Sequence, residues 1–435
     1  MKKVGFFFMV AVVLVFASCS GGDPERHFRA EPVEGVSARI TGHSGSVWAV
    51  RIPSRIRGLP VSEIGGYAFS GRDLVSARIP RGVTIIDDGA FSGNQITRVG
   101  IPGNVAVIGD GAFEGNLLDR VTVPNRATAI GASAFANNRI DRARIGRRVE
   151  SIGSHAFAGN ALASVTIPNS VVEIGANAFA NNALTSARLP AGLESVAAGA
   201  FANNALTGVT IPEGVLVIGS SAFSGNQLAE VAIPGGVVAI GGSAFANNRL
   251  SVVVIPNGVV DIGPNAFANN ELTSVTIGSG VVSIGANVFA DNPTLQTVAF
   301  APNSALESIG GRTWVAATWN VAAHWGGRGA FEGKPELRGL TLPEGLVSIG
   351  AYAFAESAGV SSLTIPASVT AVGAGAFSGW TESQTIRVPF ATMAEANAAA
   401  AQGGWGAGWR ANNGARVLNN AGEQIFPVIA QGAAE

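Results

Sequence analysis

Phenylalanine recurs at a fixed step through most of this chain, and that step limits what the chain can fold into. Phe69, Phe91, Phe113, Phe135, Phe157, Phe179, Phe201, Phe223, Phe245, Phe267 and Phe289 follow one another every 22 residues. Phe331, Phe354 and Phe377 continue the series less regularly, so fourteen units carry the mark. A period of this length belongs to a repeat solenoid, because one such unit cannot bury its apolar face alone and does so against its neighbours.

One unit, residues 211–232, reads IPEGVLVIGSSAFSGNQLAEVA, and Ile233 opens the next. In LAEVAIP (228–234) the apolar residues Leu228, Val231 and Ile233 alternate with small or charged ones. This is the LxxLxL pattern of a leucine-rich-repeat strand with Val and Ile replacing Leu, and it predicts a parallel sheet on the concave side of a horseshoe. Proline then follows in most units and should mark the strand end, since it has no N–H for an interior ladder. The second half, VLVIGSSAF, turns at Gly219 and should place Ala222 and Phe223 inward on the convex side, in short extended or helical turns.

In the ten units from Phe91 to Phe289, only Gly, Asn or Asp occurs two positions after the Phe, which predicts a left-handed backbone there. The next position is asparagine in ten successive units: Asn94, Asn116, Asn138, Asn160, Asn182, Asn204, Asn226, Asn248, Asn270 and Asn292. An amide recurring once per coil can bond the backbone of its own turn and stack on its copies, satisfying peptide groups inside the solenoid. A neutral amide is a poor base and a poor metal ligand, so this column reads as a structural ladder.

Units of the form IPxxVxxIGxxAFxxNxLxxVx resemble the BspA-like, treponemal-type leucine-rich repeats of bacterial surface proteins. Residues 40–71 resemble that family's lead-in unit, with Gly58, Pro60, Val61, Ile64 and Gly65 at its GxPVxxIG. The resemblance spans roughly residues 36–390. It implies a curved solenoid on the cell surface, several family members being adhesins, and it carries no catalytic residue across. The expected organisation is a signal peptide over 1–18, a tether over 19–35 and a lead-in cap over 36–66. Repeats would follow over 67–390, and a C-terminal cap over 391–435 would bury Trp405 and Trp409. An uncapped solenoid end would expose core and sheet edge.

Lys2 and Lys3 followed by the apolar run VGFFFMVAVVLVFA have the form of a secretory signal. The run ends FASC, which resembles a bacterial lipobox with Phe16 where leucine is usual. Cys19 would then be the lipidated N-terminus; cleavage by an ordinary signal peptidase is the other reading. Cys19 is the single cysteine, so no internal disulfide can form. The lipoprotein reading places the chain at the outer surface of a bacterial envelope, held to the membrane through a lipid anchor only.

Charge is unevenly spread. Residues 19–148 hold 17 Arg against 12 Asp and Glu, whereas 149–435 hold 9 Arg and Lys against 17. Exposed strand positions carry Arg98, Arg120 and Arg142 in one column, with Arg78, Arg144 and Arg188 in the next. Either Asp119 and Asp141 neutralise this stripe locally, or it docks an extracellular acidic partner, a glycan or a protein segment. A second candidate is a 17-residue insertion at about 311–327 holding Trp314, Trp319 and Trp325. If it is helical, Trp314 and Trp325 share a face; it either binds or packs on the solenoid.

No P-loop, HExxH or GxSxG motif occurs, the four histidines show no metal-ligand spacing, and the net charge of −1 gives no pull toward nucleic acid. No enzyme, cofactor or metal is expected. The leading expectation is an adhesin-like surface protein that binds protein or glycan. The alternative is an envelope component that associates with itself or with sibling repeat proteins.

Overall fold

A computed structural model describes residues 25–311, 313–315, 324–326, 328–401, 405, 408–409 and 414–426. They form a parallel β-solenoid of leucine-rich-repeat type, with one stacked coil per sequence repeat. Most coils contribute two short strands. The first comes from the LxxVxI segment, as in Arg142–Arg144, and pairs in parallel with the same residues of the next coil. The second has only two residues, as in Val217–Ile218, and lies just before the repeat glycine. It was not distinguished in the sequence, yet it makes the longest ladders, running from Ile85–Ile86 to Ala371–Val372 in two stretches.

LAEVAIP itself is not a strand. Its Leu228 and Ile233 are buried as expected, but residues 228–234 pair with neither neighbour, and the first sheet is interrupted there. Ala229, Glu230 and Ala232 are residue types depleted in strands, whereas the paired segment Ser274–Ile277 is rich in β-branched side chains. Proline opens the turn after the strand, as at Pro168, whose carbonyl accepts from the Val171 N–H at 3.1 Å.

Inside, fourteen phenylalanine rings form one continuous stack. Successive centroids lie 5.1–6.1 Å apart and successive planes differ by 2–24°. That spacing is the coil rise itself, and it suits offset aromatic stacking. Phe28 and His43 close one end against Phe69. Trp380 and Trp409 close the other end edge-on to Phe377. Trp405 and Trp409 are buried in that cap.

The asparagine column bridges coils in a more specific way than stacking. Asn204 Nδ2 donates to the carbonyls of Phe179 (3.0 Å) and Phe201 (3.1 Å), while its Oδ1 accepts from the Leu184 N–H (3.0 Å). All ten asparagines repeat this pattern, each tying its own coil to the one before. Amide-on-amide contact belongs instead to the preceding position, where Asn203 donates to Asn181 (3.0 Å) and Asn269 to Asn247 (2.8 Å). That position has φ of 51–68° in all ten units, as its restriction to Gly, Asn and Asp predicts. A second left-handed position two residues before Phe (Ser221, φ 56°; Asn265, φ 59°) was hidden, because Tyr67, Ser133 and His155 occupy it too.

The N-terminal cap starts earlier than expected. Phe28–Val33, within the stretch read as tether, is a strand antiparallel to Ser37–His43, which joins the solenoid through Leu59–Ile64. Arg29, Glu31 and Pro32 give the segment a linker-like composition, while Phe28 is buried against the aromatic stack.

The ladder changes chemistry after the insertion. Lys334, Ser357 and Trp380 take the asparagine position; Ser357 Oγ donates to the Phe331 carbonyl (2.6 Å) and Trp380 Nε1 to the Phe354 carbonyl (2.8 Å). Lys334 makes no such bridge among the described residues and is 1% exposed. Desolvation pushes its pKa down to about 8, against the raising effect of Asp291 and Glu332, with Arg328 adding to the fall. Below pH 8 folded and unfolded chains both hold the proton and the burial cost is constant. Between pH 8 and the unfolded value of 10.5 only the unfolded chain holds it, so stability rises with pH, by about 3 kcal/mol in all. Denaturant melts across pH 7–10.5 should show this rise in the wild type and not in Lys334→Asn, which should also be the more stable protein at pH 7. Parallel curves would contradict the assignment.

Candidate functional site

Strand register places the six predicted arginines on one open face. Ser76 pairs with Arg98, Arg78 with Gly100, Arg120 with Arg142, Thr122 with Arg144, and Arg188 with Thr210. Because side chains alternate across a strand, these residues leave the sheet on the side opposite the buried Ala77, Val121 and Ala187. All six are exposed. Arg98, Arg120 and Arg142 therefore project from successive coils, ~4.8 Å apart at the backbone.

The face is only partly neutralised. Arg98 Nε and Arg120 Nε each donate to one oxygen of Asp119, both at 3.3 Å. Slight desolvation opposes the effect, but hydrogen bonds from Arg120 and Arg98, with their charges, hold the Asp119 carboxyl below its usual range. Asp119 is thus the compensating group anticipated from the sequence. Asp141, its copy one coil later, forms no ion pair, so Arg142 and Arg144 stay uncompensated among the described residues.

Sequence reasoning confined to strand columns missed part of this face. Trp48 stands beside Val75, at the head of the stripe, and is 78% exposed. Arg126, Arg147 and Arg148 lie on the turns just after two of the arginine strands. The Arg147 N–H donates to Asn125 Oδ1 at 3.0 Å, which fixes the two turns side by side. Gly146 allows this approach, since a Cβ there would lie 2.2 Å from the Pro124 carbonyl oxygen. The run RARIGRR (142–148) was the available signal.

Farther along, the same columns lose their charge. Val252 and Val254 are 48% and 58% exposed on a well-paired strand. Between the two zones, where residues 228–234 leave the sheet, Arg188, Thr210 and Glu230 help line an open groove of about 810 Å³.

The described parts of the tryptophan insertion are strands. Thr313–Val315 pairs antiparallel with His324–Gly326, placing Trp314 opposite Trp325; Trp319 lies outside the described residues. The insertion leaves the coil after Ser308–Ile309 and returns before Phe331, so it belongs to the turn side and not to the arginine strands. Cys19 also lies outside the described residues. Among those described, no cluster of His, Cys, Asp or Glu is arranged to hold a metal, and no helix is long and apolar enough to cross a membrane.

The model of the BspA type leucine-rich repeat region matches residues 50–163, 128–251, 172–296 and 327–399. The chain belongs to the BspA-type leucine-rich-repeat family. A crystal structure of a leucine-rich-repeat protein from Bacteroides ovatus superposes with a TM-score of 0.58 at 20% identity, covering 90% of this chain and 98% of the other. The pneumococcal vaccine antigen PcpA gives a TM-score of 0.47 at 17% identity over 92% and 97%. A leucine-rich cell surface protein from Faecalibacterium prausnitzii gives 0.40 at 23% over 63% and 93%. No curated protein matches. The BspA-type matches cover most of the solenoid, and a solenoid of this kind is typically a binding scaffold.

Proposed function

We propose that this chain is an exported, lipid-anchored protein of the bacterial cell surface that binds extracellular protein or glycan, serving adhesion to host or neighbouring cells. The observation that carries the reading is the exposed arginine stripe, Arg78 to Arg188, for which Asp119 supplies the one ion-paired carboxylate among the described residues. Exposed like charges at a single-strand spacing raise the energy of the free protein, and an acidic partner relieves that repulsion. Arginine suits the task because its planar fork pairs carboxylate or sulfate through two hydrogen bonds. Anchoring rests on the signal-like start and the FASC sequence, which ends in the single cysteine, Cys19.

The test is a panel of matrix proteins and acidic glycans, run against the chain from residue 20 onward at several salt concentrations. A partner should bind more weakly as salt rises, and Arg98→Ser/Arg120→Ser/Arg142→Ser should lower its affinity and flatten the salt dependence. Binding that ignores both salt and the triple substitution would reject the reading.

A second reading follows from Val252 and Val254, whose exposure on a flat strand suits association with another copy or a sibling repeat protein. Light scattering should then show concentration-dependent mass growth that Val252→Thr/Val254→Thr abolishes. A strictly monomeric wild type would remove this alternative.

A further inference from the structure

We infer that the coils spanning residues 119–148 form a binding site for an extended sulfated glycan, held by the turn arginines Arg126, Arg147 and Arg148 together with those of the strands. The inference rests on the reading that this face takes an acidic partner, and it names that partner's chemistry and the turns that hold it.

Four observations carry it. First, the charge is concentrated and unpaired. Arg126, Arg142, Arg144, Arg147 and Arg148 are all exposed on two adjacent coils, and none forms an ion pair among the described residues. Asp119 is already engaged by Arg98 and Arg120, leaving Asp141 as the other strand-face carboxylate of these coils.

Second, the cations are of one kind. All 17 between residues 19 and 148 are arginine and none is lysine. Arginine is also the prevailing cation in the rest of the mature chain, and on this face its planar guanidinium permits bidentate recognition of oxyanions.

Third, the surface between these arginines is hydrophilic. The exposed strand positions from Arg98 to Arg188 are Arg, Ser, Thr and Gly, and the exposed apolar residues of this face lie elsewhere, at Trp48, Val75, Val252 and Val254. A protein partner typically brings a more apolar core to its contact. A polyanionic sugar chain does not.

Fourth, the geometry suits a linear, repeating ligand. Arg98, Arg120 and Arg142 stand at one register over two coil steps, ~10 Å, the scale of a disaccharide. Arg126 and Arg148 repeat at the turn, where Gly146 lets the coils close up. Three coil steps from the Arg120 coil and four from the Arg142 coil, ~14–19 Å away, Trp48 offers an exposed ring on which a sugar can stack.

The probe is a size-defined heparin octasaccharide, titrated calorimetrically into the chain from residue 20 onward, with the fully desulfated octasaccharide and an oligothymidine of equal charge as comparators. The wild type should bind heparin, bind oligothymidine at least tenfold more weakly, and not bind the desulfated chain. Arg126→Ser/Arg147→Ser/Arg148→Ser should weaken heparin at least tenfold with an unchanged melting curve, since these side chains are exposed and unpaired. No heparin binding, unchanged affinity in the turn variant, or oligothymidine binding as tight as heparin would overturn the inference. If the strand variant loses an acidic protein partner while the turn variant leaves heparin binding untouched, this inference falls and the broader function stands.

Discussion

Each ladder asparagine, buried or half-buried, meets backbone groups that the coils leave without a regular ladder. The carbonyls of two successive phenylalanines and the N–H of the preceding coil's Leu or Ile converge on one amide, which has two donors and an acceptor oxygen to offer. A buried polar group without a partner costs ~1–3 kcal/mol, so ten such bridges are a large fraction of what holds a solenoid in register. The bridge also sets the geometry around it. It requires the left-handed residue just before, and it fixes phenylalanine carbonyls whose rings then stack at the coil rise. The strands on either side are two to four residues long and would be marginal alone.

How much of this was legible follows from which positions are constrained by backbone and which by context. A left-handed residue that only Gly, Asn or Asp occupies announces itself, as does a ring that must stack on its copies. The second left-handed position did not, because Tyr67 and His155 sit there at φ 54° and 59°. LAEVAIP kept its inward pattern and still failed to pair, since burial depends on period whereas pairing depends also on the β propensity of Ala229, Glu230 and Ala232. Phe28 was lost to a polar surrounding that resembled a tether. The insertion's pairing of Trp314 with Trp325 across two strands was not legible, because periodicity over so few residues cannot separate a helix from a hairpin.

Where the copy is faithful the residues serve the scaffold; where it varies they face outward. The arginine columns replace Ser and Thr at positions the fold leaves open, so they add charge without a packing cost. Their turn neighbours, Arg147 and Arg148, were passed over because the strand register, not the turn, guided the sequence reading. Lys334 breaks the copy from the inside, at the first coil after the insertion, where an amine stands in the place of an amide and loses the bridge.

The central claim, that coil register depends on the asparagine bridge, is tested most directly by native-state hydrogen exchange on Asn204→Ala. The Leu184 N–H, which Asn204 Oδ1 accepts at 3.0 Å, should exchange much faster, while the Leu162 N–H, held by Asn182 at 3.1 Å, keeps its protection. Equal protection of Leu184 in the wild type and the variant would contradict the account.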